Sequence, residues 1–333
     1  MGISAMLECE QHILYVFPGQ GSQYPGMGSD LCDDYAIARK VYAQASNVIG
    51  YDVAELSFND PEEKLNQTRY TQVALLTHSI ACLEVFRDLT DDRLKPAMAA
   101  GHSLGEYSAL VAAKVLSFEN ALKLVQKRGE LMGAHGEGEM SVYALDLDTI
   151  RPIAERYHCA VAGYNLPQQT VIGGRPEDLA LVEKAVQDSG ERRRPVRLKT
   201  EGAFHTYYMV KAAQYFRPVL DAAEFSPSEV KVLSNFTGTY HESDPSDIKA
   251  HLFFQLFHPV KWNSNLQTTF ADGIKMIIEF GGGIGAASDA AEKRPNLEGI
   301  TKKALRAAGH EALYLAAINT QSLKQAAGFV RGV

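Results

Sequence analysis

Between Ala97 and Ala113 the chain reads AMAAGHSLGEYSALVAA: a short apolar strand, a turn flanked by Gly101 and Gly105, and a helix of small and apolar residues. A strand that runs straight into a buried helix in this way fits the G-x-S-x-G elbow, where a tight turn lifts a serine hydroxyl from a sheet edge to a helix N-terminus. That combination belongs to α/β folds and makes Ser103 a candidate nucleophile. The amide of Leu104, at the helix start, is then a candidate oxyanion donor. The competing reading is a strand-to-helix turn carrying an ordinary serine. The mainly apolar region from Pro96 to Leu116 is interrupted by His102, Glu106 and Lys114, so it reads as a buried strand and helix and not as a bilayer span.

Other segments extend this pattern. Ile13 to Phe17 is an apolar run entering the turn Pro18-Gly19-Gln20-Gly21-Ser22-Gln23, and 34–49, 72–89 and 118–132 carry apolar positions at helical spacing. A glycine-rich link from Ala134 to Glu139 ends the alternation. Beyond it the pattern predicts strand, helix, two strands, helix and strand over 140–146, 148–157, 159–164, 169–173, 176–189 and 194–199. That βαββαβ order is ferredoxin-like. After Thr200 the earlier character returns, with a helix at 207–223, a strand at Lys231–Asn235, a helix from Asp247 to Phe257 and a buried strand at 274–280. A chain of 333 residues exceeds the roughly 250–300 residues at which single cores stop growing. The expected organisation is therefore a hydrolase-like large α/β domain with a mainly parallel sheet, 1–134 and 206–333, and an inserted ferredoxin-like small domain, 135–205.

The formal net charge is −7, from 33 Lys and Arg against 40 Asp and Glu, which argues against general binding of nucleic acid or of anionic membranes. The exception is the basic segment Arg192-Arg193-Arg194-Pro195-Val196-Arg197. It either recruits an anionic partner or protects an edge strand with charge. Cys9, Cys32, Cys82 and Cys159 are scattered and form no C-x-x-C, which points to a reducing compartment. No basic segment precedes an apolar stretch at the N-terminus, and a cytoplasmic location is expected.

A nucleophilic serine needs a base. Of ten histidines, His12, His158, His241 and His310 lie in polar stretches read as surface loops. His135 sits in the glycine link, and His78 lies on an apolar helix as a satisfied core histidine. His205 follows the chain out of the small unit and precedes a helix, a junction from which a side chain overlooks an interdomain cleft. No cluster has metal-ligand spacing, so no metal is expected. Met27 stands where a P-loop beginning at Gly21 needs lysine, and Gly281-x-Gly283-x-x-Ala286 lacks the βαβ repeat of a dinucleotide site.

The motifs Phe17-Pro18-Gly19-Gln20-Gly21-Ser22-Gln23, Gly101-His102-Ser103-Leu104-Gly105-Glu106-Tyr107, Lys127-Arg128-Gly129-Glu130-Leu131-Met132, Ala203-Phe204-His205 and Pro259-Val260-Lys261-Trp262 occur in one order. In that order the chain resembles malonyl-CoA:acyl-carrier-protein transacylases, from residue 13 to about 285. Phe204 before His205 is similar to the malonyl-type pattern of polyketide acyltransferases, most of all the discrete trans-acting acyltransferases of bacterial polyketide synthases.

The resemblance implies an acylated Ser103, with His205 as base and then acid, oriented by a backbone carbonyl. It implies that Gln20 completes the oxyanion hole with Leu104, and that Gln72, His102, Asn165, Phe204 and Gln255 belong to the substrate pocket. It assigns the malonyl carboxylate to Arg128, whose planar fork offers two parallel charge-assisted bonds. Local sequence alone reads Arg128 as a solvated arginine beside Lys127. Val73, Lys114, His258 and the glycines at 281–283 depart from the family's usual pattern, which bears on pocket shape more than on reaction type. The implied partners are a CoA thioester and an acyl carrier protein bearing phosphopantetheine, and no cofactor is consumed. An acyl hydrolase that clears carriers and a noncatalytic carrier-docking protein are the alternatives. No role is assigned to the tail beyond Glu292.

Overall fold

The computed structural model describes residues 12–191 and 193–332; Cys9 and Arg192 lie outside the described residues. A large sheet is built from Ile13–Phe17 (β1), Met98–Gly101 (β2), Lys231–Val232 (β7), Met276–Phe280 (β8) and Leu313–Ala317 (β9) in the order β7-β2-β1-β8-β9. Every neighbouring pair is parallel. Parallel sheets are covered on both faces and read as unbroken apolar runs, and β1 and β8 are buried throughout. Alternate residues of β1 feed opposite cores: Ile13, Tyr15 and Phe17 on one face, Leu14 and Val16 with Trp262 and Ile277 on the other. Each large apolar side chain buried in this way contributes about 1.5–3 kcal/mol, and the double-sided core anchors the strand ends that carry the site.

The small sheet consists of Glu139–Tyr143 (β3), Ala160–Leu166 (β4), Gln169–Gly174 (β5) and Val196–Leu198 (β6), in the order β4-β5-β3-β6 with antiparallel pairing. The helices Leu147–Arg156 and Pro176–Asp188 complete the expected βαββαβ order. Tyr143 and Ile172 pack with Ile150, Leu179 and Val182 of those helices. Met140, Val142 and Val171 alternate to the opposite face and line the space toward the large sheet. Val260 stitches the two units together, donating to Ala162 O at 3.0 Å and accepting from Tyr164 N at 3.1 Å.

Some elements differ from the sequence reading. The helix from Phe118 extends to His135, and β7 stops at Val232, where the chain turns and releases Asn235 from the ladder. Trp262–Ala271, Glu298–Ala308, β9 and Thr320–Gly332 add elements that the sequence pattern did not reveal. Among the described residues no helix is long and apolar enough to cross a membrane.

Candidate active site

Because the large sheet is parallel, its strands end on one edge, the place where ligand sites form in open α/β sheets. The turn after β2 holds Ser103 in the left-handed region, φ 53°. A Cβ on Gly101 would overlap the Gly105 carbonyl, and one on Gly105 would overlap the carbonyls of Phe17 and Pro18. Only glycine fits at either position. Asn235 clamps the turn from the side: its Oδ1 accepts the Ser103 amide at 2.6 Å and its Nδ2 donates to Gly101 O at 2.8 Å. A left-handed serine costs about 1–3 kcal/mol unless its surroundings impose it, and these two bonds help to impose it.

His205 is also left-handed, φ 62°, and its backbone N donates to Leu256 O at 3.1 Å. Its Nδ1 donates to the Gln255 carbonyl at 2.7 Å. A carbonyl only accepts, so the ring proton sits on Nδ1 and Nε2 is left to accept. Nε2 stands 2.7 Å from Ser103 Oγ. Burial, then the neighbouring Arg128 charge, push the His205 pKa down to about 3, opposed by the bond to Gln255. The imidazole is therefore a neutral acceptor for the serine proton.

Arg128 is buried, not solvated. Its helix packs against Thr68–Leu89, and at Gly129 a Cβ would lie 2.7 Å from the Thr68 carbonyl. The missing side chain lets the two backbones close and carries Arg128 inside. Nη1 donates to Gln72 Oε1 at 2.9 Å, and Nη2 donates to Gln255 Oε1 at 2.9 Å and to Ser103 Oγ at 3.1 Å. These acceptors are all neutral, and among the described residues no carboxylate forms an ion pair with it. Burial lowers its pKa. A desolvated guanidinium with no carboxylate bonded to it, Glu106 acting on it only across the Gln255 amide, favours an anionic ligand.

Ser103, His205 and Arg128 border a cavity of about 910 Å³ together with Gln20, Gln72, His102, Leu104, Asn165 and Phe204. Gln20 Nε2 donates to Thr68 Oγ1 at 3.2 Å. His102 Nε2 and Asn165 Oδ1 are 2.9 Å apart, a bond between the two units, and the His102 ring meets Trp262 edge-on at 5.5 Å. Burial lowers the His102 pKa against the pull of Asn165. Gln255 stands behind the cavity wall, where Arg128, Ser103 O and Glu106 occupy its amide.

The tail, assigned no role above, supplies Asn296, Leu297 and Ile300 to the cavity. Glu279, buried in β8, accepts the Asn296 and Leu297 amides and holds that rim. The sequence reading also missed Glu106 and Asn235. A lone acid within an apolar helix and a polar residue just past a strand end were the available signals.

His241, read as a surface residue, has a side chain only 2% exposed, with Nε2 2.8 Å from Glu106 Oε1. His310, read the same way, stacks on Phe270 and bonds Ile274 O. His78 is a satisfied core histidine, accepting Gly282 N at 2.9 Å. In the basic segment, Arg193 and Arg194 are exposed, whereas Arg197 on the edge strand β6 is paired with Glu139 and Glu183.

Comparisons with known proteins place the chain in a family. The acyl transferase domain family matches residues 14–281. A malonyl CoA-acyl carrier protein transacylase of Bacillus subtilis (strain 168) is 35% identical over 280 residues, covering 81% of this chain and 87% of that protein. A polyketide biosynthesis malonyl CoA-acyl carrier protein transacylase of the same strain is 36% identical over 275 residues, covering 81% and 93%. A solved type II PKS acyl-carrier protein in complex with its malonyl-transacylase aligns with TM-score 0.84 at 32% identity, over 96% of this chain and 99% of that one. With the family matched over residues 14–281, through the elbow and the whole small sheet, the chain belongs to the acyl transferase domain family.

Proposed function

We propose that this chain moves a malonyl group from malonyl-CoA to the phosphopantetheine thiol of an acyl carrier protein, in polyketide or fatty acid biosynthesis, through an ester on Ser103. The observation that carries the reading is one hydroxyl held by two groups of opposite purpose: Ser103 Oγ bonds both His205 Nε2 and Arg128 Nη2. In the first half-reaction Oγ attacks the thioester carbonyl while His205 Nε2 takes its proton. The C–S bond then breaks, and CoA leaves as its thiol with that proton. In the second, the carrier thiol gives its proton to His205 and attacks the ester, and His205 returns the proton to Oγ.

A positioned base supplies about 10²–10⁴-fold. One oxyanion donor is worth about 2.7–4 kcal/mol; the Leu104 amide fills that role, completed at the Gln20 turn. Arg128 holds the malonyl carboxylate, which supplies the charge that the buried guanidinium lacks. Gln72, His102, Asn165 and Phe204 shape the pocket around it, and the cycle draws on no cofactor.

Intact-protein mass spectrometry after mixing with malonyl-CoA is the test. One malonyl group on Ser103, discharged when a phosphopantetheinylated carrier is added, is the expected outcome. A malonyl ester released only as free malonate would indicate a hydrolase, and absence of any ester would leave a docking protein.

A further inference from the structure

Behind the cavity a buried carboxylate, the buried side chain of His241 and the half-buried imidazole of His251 pack against the active-site loops. Glu106 has no exposed surface. Its Oε2 accepts the Asn235 amide at 2.9 Å and Gln255 Nε2 at 2.8 Å, and its Oε1 accepts His241 Nε2 at 2.8 Å. Among the described residues no lysine or arginine pairs with it. A buried carboxylate in this position depends on each of its donors, because a lost one is not replaced by water.

His241 Nδ1 lies 3.1 Å from His251 Nδ1, with the rings stacked at 5.3 Å. Two facing ring nitrogens hold one proton between them. Facing a carboxylate that only accepts, His241 Nε2 carries a hydrogen, and Nδ1 of that tautomer accepts from His251 Nδ1. His251 thus favours the His241 tautomer that donates to Glu106.

Both other partners of Glu106 lead into the site. Asn235 pins the elbow at Ser103 N and Gly101 O. Gln255 donates from Nε2 to Ser103 O, accepts Arg128 on Oε1 and accepts His205 on its backbone carbonyl. Turning the Gln255 amide over would set its oxygen against the Glu106 carboxylate and its NH₂ against Arg128. Glu106 therefore decides which end faces the guanidinium.

We propose that His241 and His251 are positioning residues for acyl transfer, acting through Glu106 to hold Gln255 and Asn235 in the one arrangement that aligns Ser103, His205 and Arg128. The proposal rests on the acyl-transfer reading above. Neither imidazole lines the cavity, so their effect reaches the substrate only through this chain of bonds.

The test compares His241→Gln with His241→Asn. A glutamine amide reaches the place of Nε2 and can donate to Glu106, whereas an asparagine amide stops at the place of Nδ1. Both are polar, which separates donation from burial. The malonyl-CoA acylation rate is expected to fall about tenfold in His241→Asn and to stay within about twofold of wild type in His241→Gln. In a Glu106→Ala background, which leaves no side-chain partner for either amide, the difference between the two should vanish, the non-additivity expected of residues acting in series. Equal rates in His241→Gln and His241→Asn overturn the proposal, as does a difference that persists in Glu106→Ala. Thermal melts of all the variants establish that the rates refer to folded protein; if His241→Asn or Glu106→Ala does not fold, a folded His241→Gln with acylation about tenfold below wild type overturns the proposal, and a rate within about twofold supports it. Wild-type protein that takes no malonyl group would refute the acyl-transfer reading itself, and this proposal with it.

Discussion

Ser103 Oγ lies 3.1 Å from Arg128 Nη2 and 2.7 Å from His205 Nε2, so one oxygen is shared by a buried cation and a neutral base. The cation favours an alkoxide-like oxygen and at the same time disfavours the imidazolium that forms as the proton moves. In the proposed reaction a malonyl carboxylate would resolve the conflict. Once it neutralised Arg128, the charge next to His205 would disappear and proton transfer to Nε2 would become easier. The proposed function thereby links substrate charge to base strength through a single guanidinium.

Removing the hydroxyl removes the ester. Ser103→Ala is expected to show no covalent malonyl group by intact mass and no transfer to a carrier, while its melting temperature stays close to wild type. A stoichiometric adduct in that variant would place the nucleophile elsewhere. His205→Ala should slow acylation by at least about 10²-fold at neutral pH, because Oγ loses its proton acceptor.

Arg128 should discriminate between acids. Arg128→Ala is expected to lose malonyl loading by about 10²-fold or more, with the substrate carboxylate left unpaired in a desolvated site. Acetyl-CoA has no carboxylate and should lose far less. Arg128→Lys should recover only part, since a point charge lacks the fork. The readout is kcat/KM for both thioesters in the three proteins. An equal fall for malonyl and acetyl would mean that Arg128 serves the elbow alone.

The pH profile of acylation reports on His205. With its pKa lowered to about 3 by burial and by Arg128, the ring stays neutral and able to accept a proton at any higher pH. The acylation kcat/KM of the free enzyme should therefore be flat from about pH 5 to about pH 8, without the limb near 6.5 that an ordinary histidine gives. Arg128→Ala removes one of the depressing charges, so its acid limb should move up. A wild-type limb near pH 6.5 would contradict the burial argument.

Glu279 should make stability depend on pH. Burial raises its pKa from 4.5 to about 7, against the bonds from Tyr314, Leu297 and Asn296. Between those values the folded protein keeps a proton that the unfolded chain has released. This contribution is fully present below about pH 4.5 and declines as pH rises through about 7. Glu279→Gln can still accept the two amides and has no proton to lose. Its melting temperature should vary less than that of wild type between pH 5 and pH 8, and identical slopes would show that Glu279 does not titrate in this window.

The parts of the site that could be read along the chain are those whose geometry is local. A strand, Gly101, Ser103, Gly105 and a helix occupy consecutive residues, and the glycines are required because neighbouring backbone fills the space of a side chain. The βαββαβ order was legible for the same reason, since each element has its own period. The resemblance to a known family assigned the roles of Arg128 and His205, which local pattern left open.

Burial of polar groups depends on remote segments, and there the chain pattern misled or was silent. Arg128 looks solvated beside Lys127 until Gly129 lets its helix close on Thr68. Asn235 and Glu106 lie 129 residues apart in the chain, and no spacing rule connects a clamp to an elbow over that distance. His241 sits in a polar stretch and reads as surface, yet it is enclosed because the chain beyond β7 turns back beneath the elbow and meets a carboxylate there. The desolvation of a charge, and the partner that makes it tolerable, are properties of packing between segments far apart in the chain, and they exist only where the tertiary fold brings those segments together.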